Sequence, residues 1–403
     1  MLLHPPFAAY IHIPFCRRRC FYCDFPISVL GDTRRGEDSG SVADYVTLLV
    51  QEIRATPVQE GELQTVFLGG GTPSLLSVDQ VGHILQVLRE QFGLHPGAEI
   101  SMEMDPGTFD REHLQGYVAH GGNRVSLGVQ SFQDEALADC GRFHRGVDVD
   151  RAVADLRAVG VDNWSLDLIS GLPHQTMADW AENLARAIAL RPAHLSVYDL
   201  TVEPQTPFGR TYQPGVAPLP SDETTLSMLR QAQQVLTAAG YDHYEISNYA
   251  RPGYPCRHNR VYWQNQSHYG FGMGATSYTH QQRFSRPRTR REYAQWVEAY
   301  VHNNGQLDCP PTPFAEQVLD GLMTGLRLKE GVSLVPVQTL GLLDRTLTAL
   351  QPHLDRGLAI LTETPTGPRL RLTDPDGFFL SNAVIVTLFG VLEAAMPAVA
   401  AEP

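Results

Sequence analysis

The sequence predicts an α/β fold: a partial, TIM-like (β/α)6 barrel of parallel strands followed by a mostly helical C-terminal domain. Three observations lead there. In the first half of the chain, six short apolar runs alternate with amphipathic helical stretches, the pattern of a parallel sheet with right-handed crossovers. A break over 202–220 containing Pro204, Pro207, Pro214, Pro218 and Pro220 then ends the alternation. Beyond Pro310, Pro311 and Pro313 the pattern changes to helices and one small hairpin. A flat, doubly wound sheet is the alternative arrangement of the same units.

In chain order, strands are expected at 8–13, 65–68, 99–104, 124–129, 164–169 and 194–200. The stretches between them place apolar residues at helical spacing over 42–55, 78–91, 111–119, 150–159 and 177–190. The polar, glycine-rich segment 31–41 reads as a surface loop. After the proline break come a helix at 223–239, a short strand and an aromatic segment rich in Gly. Five arginines between Arg283 and Arg291 read as a solvated loop face, with a docking patch as the lesser reading. In the tail, 358–361 and 369–372 flank a Pro-Thr-Gly-Pro turn, and the apolar run 383–392 reads as a buried helix. These breaks divide the chain into 1–220, an extension 221–300, and a helical, winged-helix-like region 301–403.

The composition excludes several functions. With 403 residues, 43% hydrophobic and 9% aromatic, the chain can bury a large core and is not disordered as a whole. A formal charge of −13 disfavours a broad phosphate-binding surface, so no nucleic acid is expected as a partner. Of the 31 basic residues only Lys329 is a lysine, and its context, Leu326-Arg327-Leu328-Lys329-Glu330-Gly331, matches neither a Walker phosphate loop nor a Schiff-base site. No charged leader with an apolar run opens the chain, and its longest apolar stretch is too short to span a membrane. A cytoplasmic protein is expected, with peripheral membrane contact left open.

Six cysteines are too sparse for a disulfide scaffold, but three of them, Cys16, Cys20 and Cys23, crowd the loop after the first strand. Structural zinc wants four closed ligands, and this segment supplies three thiolates, with His12 placed inside a strand. A cubane [4Fe–4S] cluster on three thiolates keeps one iron open for an exogenous ligand. That is the arrangement needed to bind S-adenosylmethionine through its amino and carboxylate groups. The C-x3-C-x2-C spacing, with Tyr22 before the last Cys, is that of the radical S-adenosylmethionine superfamily.

Ligands of parallel α/β sheets bind at the carboxyl ends of the strands. Reading each strand to its end places Gly69-Gly70-Gly71-Thr72-Pro73 after the second, Glu103 on the third, Gln130 on the fourth and Asp167 on the fifth. The glycines are expected to admit a ligand close to the backbone and to offer it N–H groups. Helix caps would explain Glu103 or Asp167 singly, but not the whole series.

The chain resembles the coproporphyrinogen-dehydrogenase-like branch of that superfamily. Tyr10 precedes Cys16 by six residues, GGGTP follows, and Glu103, Gln130, Arg142 and Asp167 come in the branch's order. The resemblance implies that Gly70 and Glu103 hold S-adenosylmethionine at the cluster. It places Gln130, Arg142 and Asp167, with Tyr22, Gly71 and Thr72, at a second cofactor position, and counts Tyr10 among the cofactor contacts. Two kinds of member compete. Oxygen-independent coproporphyrinogen III oxidases continue the cysteine motif with a further Cys two residues on, where this chain has Phe25. Haem chaperones of the branch carry H-N-x-x-Y-W, matched here by His258-Asn259-Arg260-Val261-Tyr262-Trp263. An imidazole ligates haem iron well, and Tyr262 and Trp263 offer flat apolar surface. The plainer alternative makes His258 a loop histidine and the two rings core aromatics. Cys256 reads as a buried inert thiol, with a second haem ligand or a covalent attachment point as the lesser readings. The expected function is a haem chaperone rather than an enzyme, with haem and a haem-acceptor protein as partners; a radical oxidase of a porphyrinogen is the alternative.

Overall fold

The computed structural model describes residues 5–31 and 36–394. It divides into two compact units, Met1–Gly240 with Ser267–Pro310, and Tyr241–Gln266 with Pro311–Pro403. The middle region expected at 221–300 is therefore shared between the units, and its HNRVYW segment belongs with the C-terminal one.

Six parallel strands of the first unit form where the apolar runs predict them. They are β1 (Ala8–Ile13), β2 (Leu63–Gly70), β3 (Leu94–Met104), β4 (Arg124–Gln130), β5 (Trp164–Ser170) and β6 (His194–Asp199). Each pairs in parallel with the next. A seventh strand, β7 (Tyr269–Phe271), joins in parallel on the other side of β1, so the sheet does not end at the proline break. Three residues are too few to show a strand period, which is why this strand read only as a Gly-rich aromatic segment. Gly270 is required there, because a Cβ would sit 2.2 Å from the Thr276 carbonyl oxygen.

Helices Gly40–Ala55, Val78–Phe92, Arg111–Ala119, Gly146–Val159 and Met177–Leu190 lie between successive strands of the series. Local chemistry sets their starts: Ser77 with Gln80 and Thr176 with Asp179 form capping boxes, and Asp110 accepts the His113 N–H. Helix Gly146–Val159 starts earlier than its periodicity suggests, because the Asp148 carboxylate accepts the Arg145 N–H at 2.9 Å. The proline break itself contains a short helix, Pro207–Thr211, capped by Thr206. The loop expected at 31–41 falls partly on residues 32–35, outside the described residues, and Gly36 on its far side is buried.

The arginine-rich segment keeps the expected solvated face at Arg283, Arg288, Arg290 and Arg291, which are exposed, and departs from it at Arg286. Arg286 is 1% exposed, and its Nε donates to Glu52 Oε1 at 2.7 Å. The other Glu52 oxygen accepts from Tyr293 Oη at 2.5 Å and from the Gly272 N–H at 2.9 Å. Arg288 donates to the Asp24 carbonyl at 2.9 Å. A run of like charges in sequence cannot reveal a partner more than two hundred residues away.

The second unit begins with antiparallel strands Asp242–Glu245 and Asn248–Ala250 and a seven-residue helix, Arg257–Trp263. From 314 the order is helix Phe314–Gly325, strand Val332–Ser333, helices Val335–Thr339 and Leu343–Asp355, hairpin Ala359–Thr364 and Gly367–Leu372, and helix Ser381–Glu393. The hairpin is longer than expected and its connection shorter. Leu326, Leu334, Val337, Leu350, Leu370, Phe378, Val384 and Leu388 close the core of this unit.

The Glu52–Arg286 pair yields a stability prediction. Arg286→Met should leave a buried carboxylate without its counter-charge and cost about 3–5 kcal/mol in urea unfolding followed by circular dichroism. A loss below about 1 kcal/mol, the range of exposed pairs, would contradict the buried pairing.

Candidate functional site

The strand register gathers the predicted residues at one edge. Ile13 lies beside Gly70, Leu68 beside Met102, Met104 beside Leu127, and Gln130 beside Leu168. Above this edge a cavity of about 400 Å³ is lined by Cys16, Cys20, Cys23, Tyr22, Gly70, Gly71, Thr72, Glu103, Gln130, Arg142 and Asp167. Every predicted cluster ligand is among them, with every predicted S-adenosylmethionine contact except Tyr10.

The cysteine loop is built onto the sheet. The Gly71 N–H donates to the Ile13 carbonyl at 2.8 Å and the Thr72 N–H to that of Phe15 at 2.7 Å. The Gly70 N–H donates to Glu103 Oε2 at 2.9 Å. The glycine N–H groups are thus engaged within the protein, contrary to the expectation that they face a ligand. The glycines matter for closeness instead: a Cβ on Gly70, whose φ is +112°, would lie 2.4 Å from the His12 ring, and one on Gly71 would lie 2.7 Å from the Phe15 oxygen. His12 spans beneath the loop, its Nδ1 accepting from Tyr10 Oη and its Nε2 donating to the Pro26 carbonyl, both at 3.0 Å. Burial lowers its pKa to about 4, so the ring is neutral and both nitrogens are occupied away from the cysteines. The Tyr10 hydroxyl is accordingly directed to His12 and not to the cavity.

The thiols are free and half-buried. Burial raises Cys16 to about 12 and also raises Cys23, so these groups keep their protons until a metal displaces them. Among the described residues, no three His, Cys, Asp or Glu side chains converge as a single ion requires. Three thiols spread around one cavity suit a cluster several ångströms across.

Carboxylates line the facing wall. Burial raises Glu103 to about 7, opposed by the Gly70 N–H and reinforced by Asp167 and Asp105. Burial also raises Asp167, although Ser126 and Ser165 donate to it at 3.1 and 3.3 Å. Asp105 was missed from the sequence: its Oδ2 accepts from Thr72 Oγ1 at 3.2 Å, and its Oδ1 pairs with Arg142. Gln130 reaches the cavity through an irregular register between Leu127 and Gln130 and a φ of +66°, a strained conformation for a non-glycine residue. Arg142 Nε is buried with no hydrogen-bond partner among the described residues. A wall of acids with one orphaned donor fits a ligand that carries both positive charge and a carboxylate, as S-adenosylmethionine does.

The other predicted constellation lies elsewhere. His258, Asn259, Tyr262 and Trp263 share helix Arg257–Trp263 of the second unit. His258 is 1% exposed, and its Nε2 is hydrogen-bonded to Tyr262 Oη at 2.8 Å. Cys256, at the start of that helix, is buried. The segment is helical, a form not foreseen for a six-residue motif in a helix of only seven residues.

The Radical SAM superfamily model matches residues 10–187. A Synechocystis protein named Heme chaperone HemW is 47% identical over 96% of this chain and 97% of its own length. The Escherichia coli protein of the same name is 35% identical over 95% and 98%. Among solved structures, coproporphyrinogen III oxidase (HemN) of Escherichia coli, described as a Radical SAM enzyme, superposes with a TM-score of 0.79 at 24% identity, covering 95% of this chain and 90% of that one. At that identity the likeness shows the fold.

The pKa of Glu103 sets a pH dependence. Below about pH 7 Glu103 is neutral and gives up its attraction for a cation; above it the ionised carboxylate is present. S-adenosylmethionine should therefore bind more tightly at pH 8 than at pH 6. Glu103→Gln should flatten that difference and weaken binding by about 1.5–3 kcal/mol, the range for a charged hydrogen bond. Calorimetry on the cluster-loaded chain reads both, and unchanged affinity and pH profile in the variant would remove Glu103 from the site.

Proposed function

The chain belongs to the HemW family of haem chaperones in the Radical SAM superfamily, and from that premise we propose that it binds haem and passes it to an acceptor protein. The match to named haem chaperones along nearly the whole chain carries this reading. Cys16, Cys20 and Cys23 would hold three irons of a [4Fe–4S] cluster, and Gly70, Thr72, Glu103, Gln130, Arg142 and Asp167 would surround S-adenosylmethionine. When bound, the cluster supplies an open iron for that cofactor and a store for one electron. The chain's own residues do the rest: the glycines bring the second strand against the loop, and the acids offset cationic charge.

Haem is the cargo, and His258 is its proposed iron ligand, with Asn259, Tyr262 and Trp263 around it. Tyr262 Oη is hydrogen-bonded to the His258 Nε2, so loading through that nitrogen requires the hydrogen bond to open. Among the described residues no helix is long and apolar enough to cross a membrane; we place the protein in the cytoplasm. The oxidase reading is disfavoured at Phe25, which is 57% exposed at the edge of the cavity and supplies no fourth thiol.

Two outcomes test this. Anaerobically reconstituted protein should take up haem, release it to an apo-haemoprotein, and form no protoporphyrinogen from coproporphyrinogen; decarboxylation at the rate of a working oxidase would overturn the reading. In haem titrations, Tyr262→Phe should bind about two- to ten-fold more tightly, the worth of one neutral hydrogen bond, and His258→Ala more weakly. If neither variant moves the affinity, His258 is not the ligand.

A further inference from the structure

We propose that Arg142 is a positioning residue that sets the reduction potential of the cluster through a hydrogen bond to Cys20. The inference rests on the cluster reading above and adds to it a role for a residue that the resemblance implies only as a cofactor contact.

Arg142 is placed by the turn after helix Asp134–Asp139, where its N–H donates to the Leu137 carbonyl at 2.8 Å. Its Nη1 donates to Cys20 Sγ at 3.4 Å. Its Nη2 donates to the Gly128 carbonyl at 2.7 Å and pairs with Asp105. The guanidinium is thus held on one side by a strand carbonyl and a carboxylate while another edge faces a predicted iron ligand. β4 is hollowed to admit it: a Cβ on Gly128 would lie 3.3 Å from Arg142 Nη2 and 2.7 Å from Asp105 Oδ1. Thr72 is a weaker candidate for the same role. Its one hydroxyl proton is shared between Asp105 at 3.2 Å and Cys16 Sγ at 3.6 Å.

Reduction adds one electron, taken from the reductant, and makes the cluster one charge more negative. A guanidinium bonded to a ligating sulfur stabilises the reduced form more than the oxidised one, so the potential becomes less negative. Glu103, Asp105 and Asp167 line the same cavity and act in the opposite sense. Arginine remains protonated at any working pH, so its contribution persists where that of Glu103 titrates. An arginine already committed to Asp105, Gly128 and Cys20 has its Nε left for S-adenosylmethionine.

The test is an EPR-monitored redox titration of the reconstituted chain with dithionite, beside iron and sulfide analysis. Arg142→Gln should hold the cluster at wild-type content with a midpoint shifted to more negative potential. Arg142→Lys, which keeps the charge but not the fork, should fall between. A wild-type midpoint in Arg142→Gln overturns the proposal, as does a shift in Arg142→Lys as large as that in Arg142→Gln. Should Arg142→Gln hold no cluster, Arg142→Lys decides alone: a negative shift supports the role and a wild-type value refutes it. Loss of the cluster from both variants, with circular dichroism unchanged, makes Arg142 an assembly residue and also overturns the proposal. A wild-type chain that takes up no cluster defeats the reading of the site itself, and this inference with it.

Discussion

The cavity depends on a close approach that leaves no room for a Cβ at the end of the second strand. The second strand ends at Gly70, Gly71 follows it, and there the chain meets the His12 ring and the Phe15 carbonyl at distances that any Cβ would violate. Because the strand comes that close, the Gly71 and Thr72 N–H groups can bond the Ile13 and Phe15 carbonyls and carry the sheet's hydrogen bonding into the cysteine loop. The same closeness puts the Gly70 N–H on Glu103. A flexible loop of three cysteines would lose conformational entropy on taking up a cluster; here the loop is already tied to two strands and, through His12, to Pro26.

The electrostatics follow from that closure. Glu103, Asp105 and Asp167 share a small space, and burial works against their ionisation at Glu103 and Asp167. Arg142 with Asp105, the serines near Asp167 and the Gly70 N–H offset part of this cost from within the protein. The rest favours a positively charged ligand. Elsewhere in the first unit, Glu52 and Arg286 show the opposite solution: a buried acid matched by its own arginine, with a tyrosine and a backbone N–H completing the carboxylate. That acid is a structural fixture, whereas in the cavity Arg142 matches Asp105 and leaves Glu103 and Asp167 to a ligand.

Most of this could be read in the sequence wherever a period or a rigid spacing was present. Strand Ala8–Ile13 and helices Arg111–Ala119 and Met177–Leu190 have the expected bounds, because long apolar periods dominate local ambiguity. The strand-end rule found Glu103, Gln130 and Asp167, although Asp167 sits mid-strand and reaches the cavity from there. Asp105 escaped because it follows β3 and precedes Pro106, and so looks like a turn residue. Its signal was the Glu103-x-Asp105 parity, which puts two carboxylates on one face. Arg142 came only from the resemblance, since no period marks a loop arginine. Strand Tyr269–Phe271, the Arg286 pairing and helix Arg257–Trp263 were hidden for a common reason. Each is short or depends on a partner remote in sequence.

The claim at the centre is that three thiols and a wall of acids form one site for a cluster with an open iron and a cationic cofactor. EPR of the reconstituted, reduced protein before and after S-adenosylmethionine addresses it most directly. The account predicts a reduced [4Fe–4S] signal whose g values shift when the cofactor is added, because it attaches at the iron that no cysteine holds. A cluster signal that S-adenosylmethionine leaves unchanged, at concentrations where calorimetry shows binding, would contradict it.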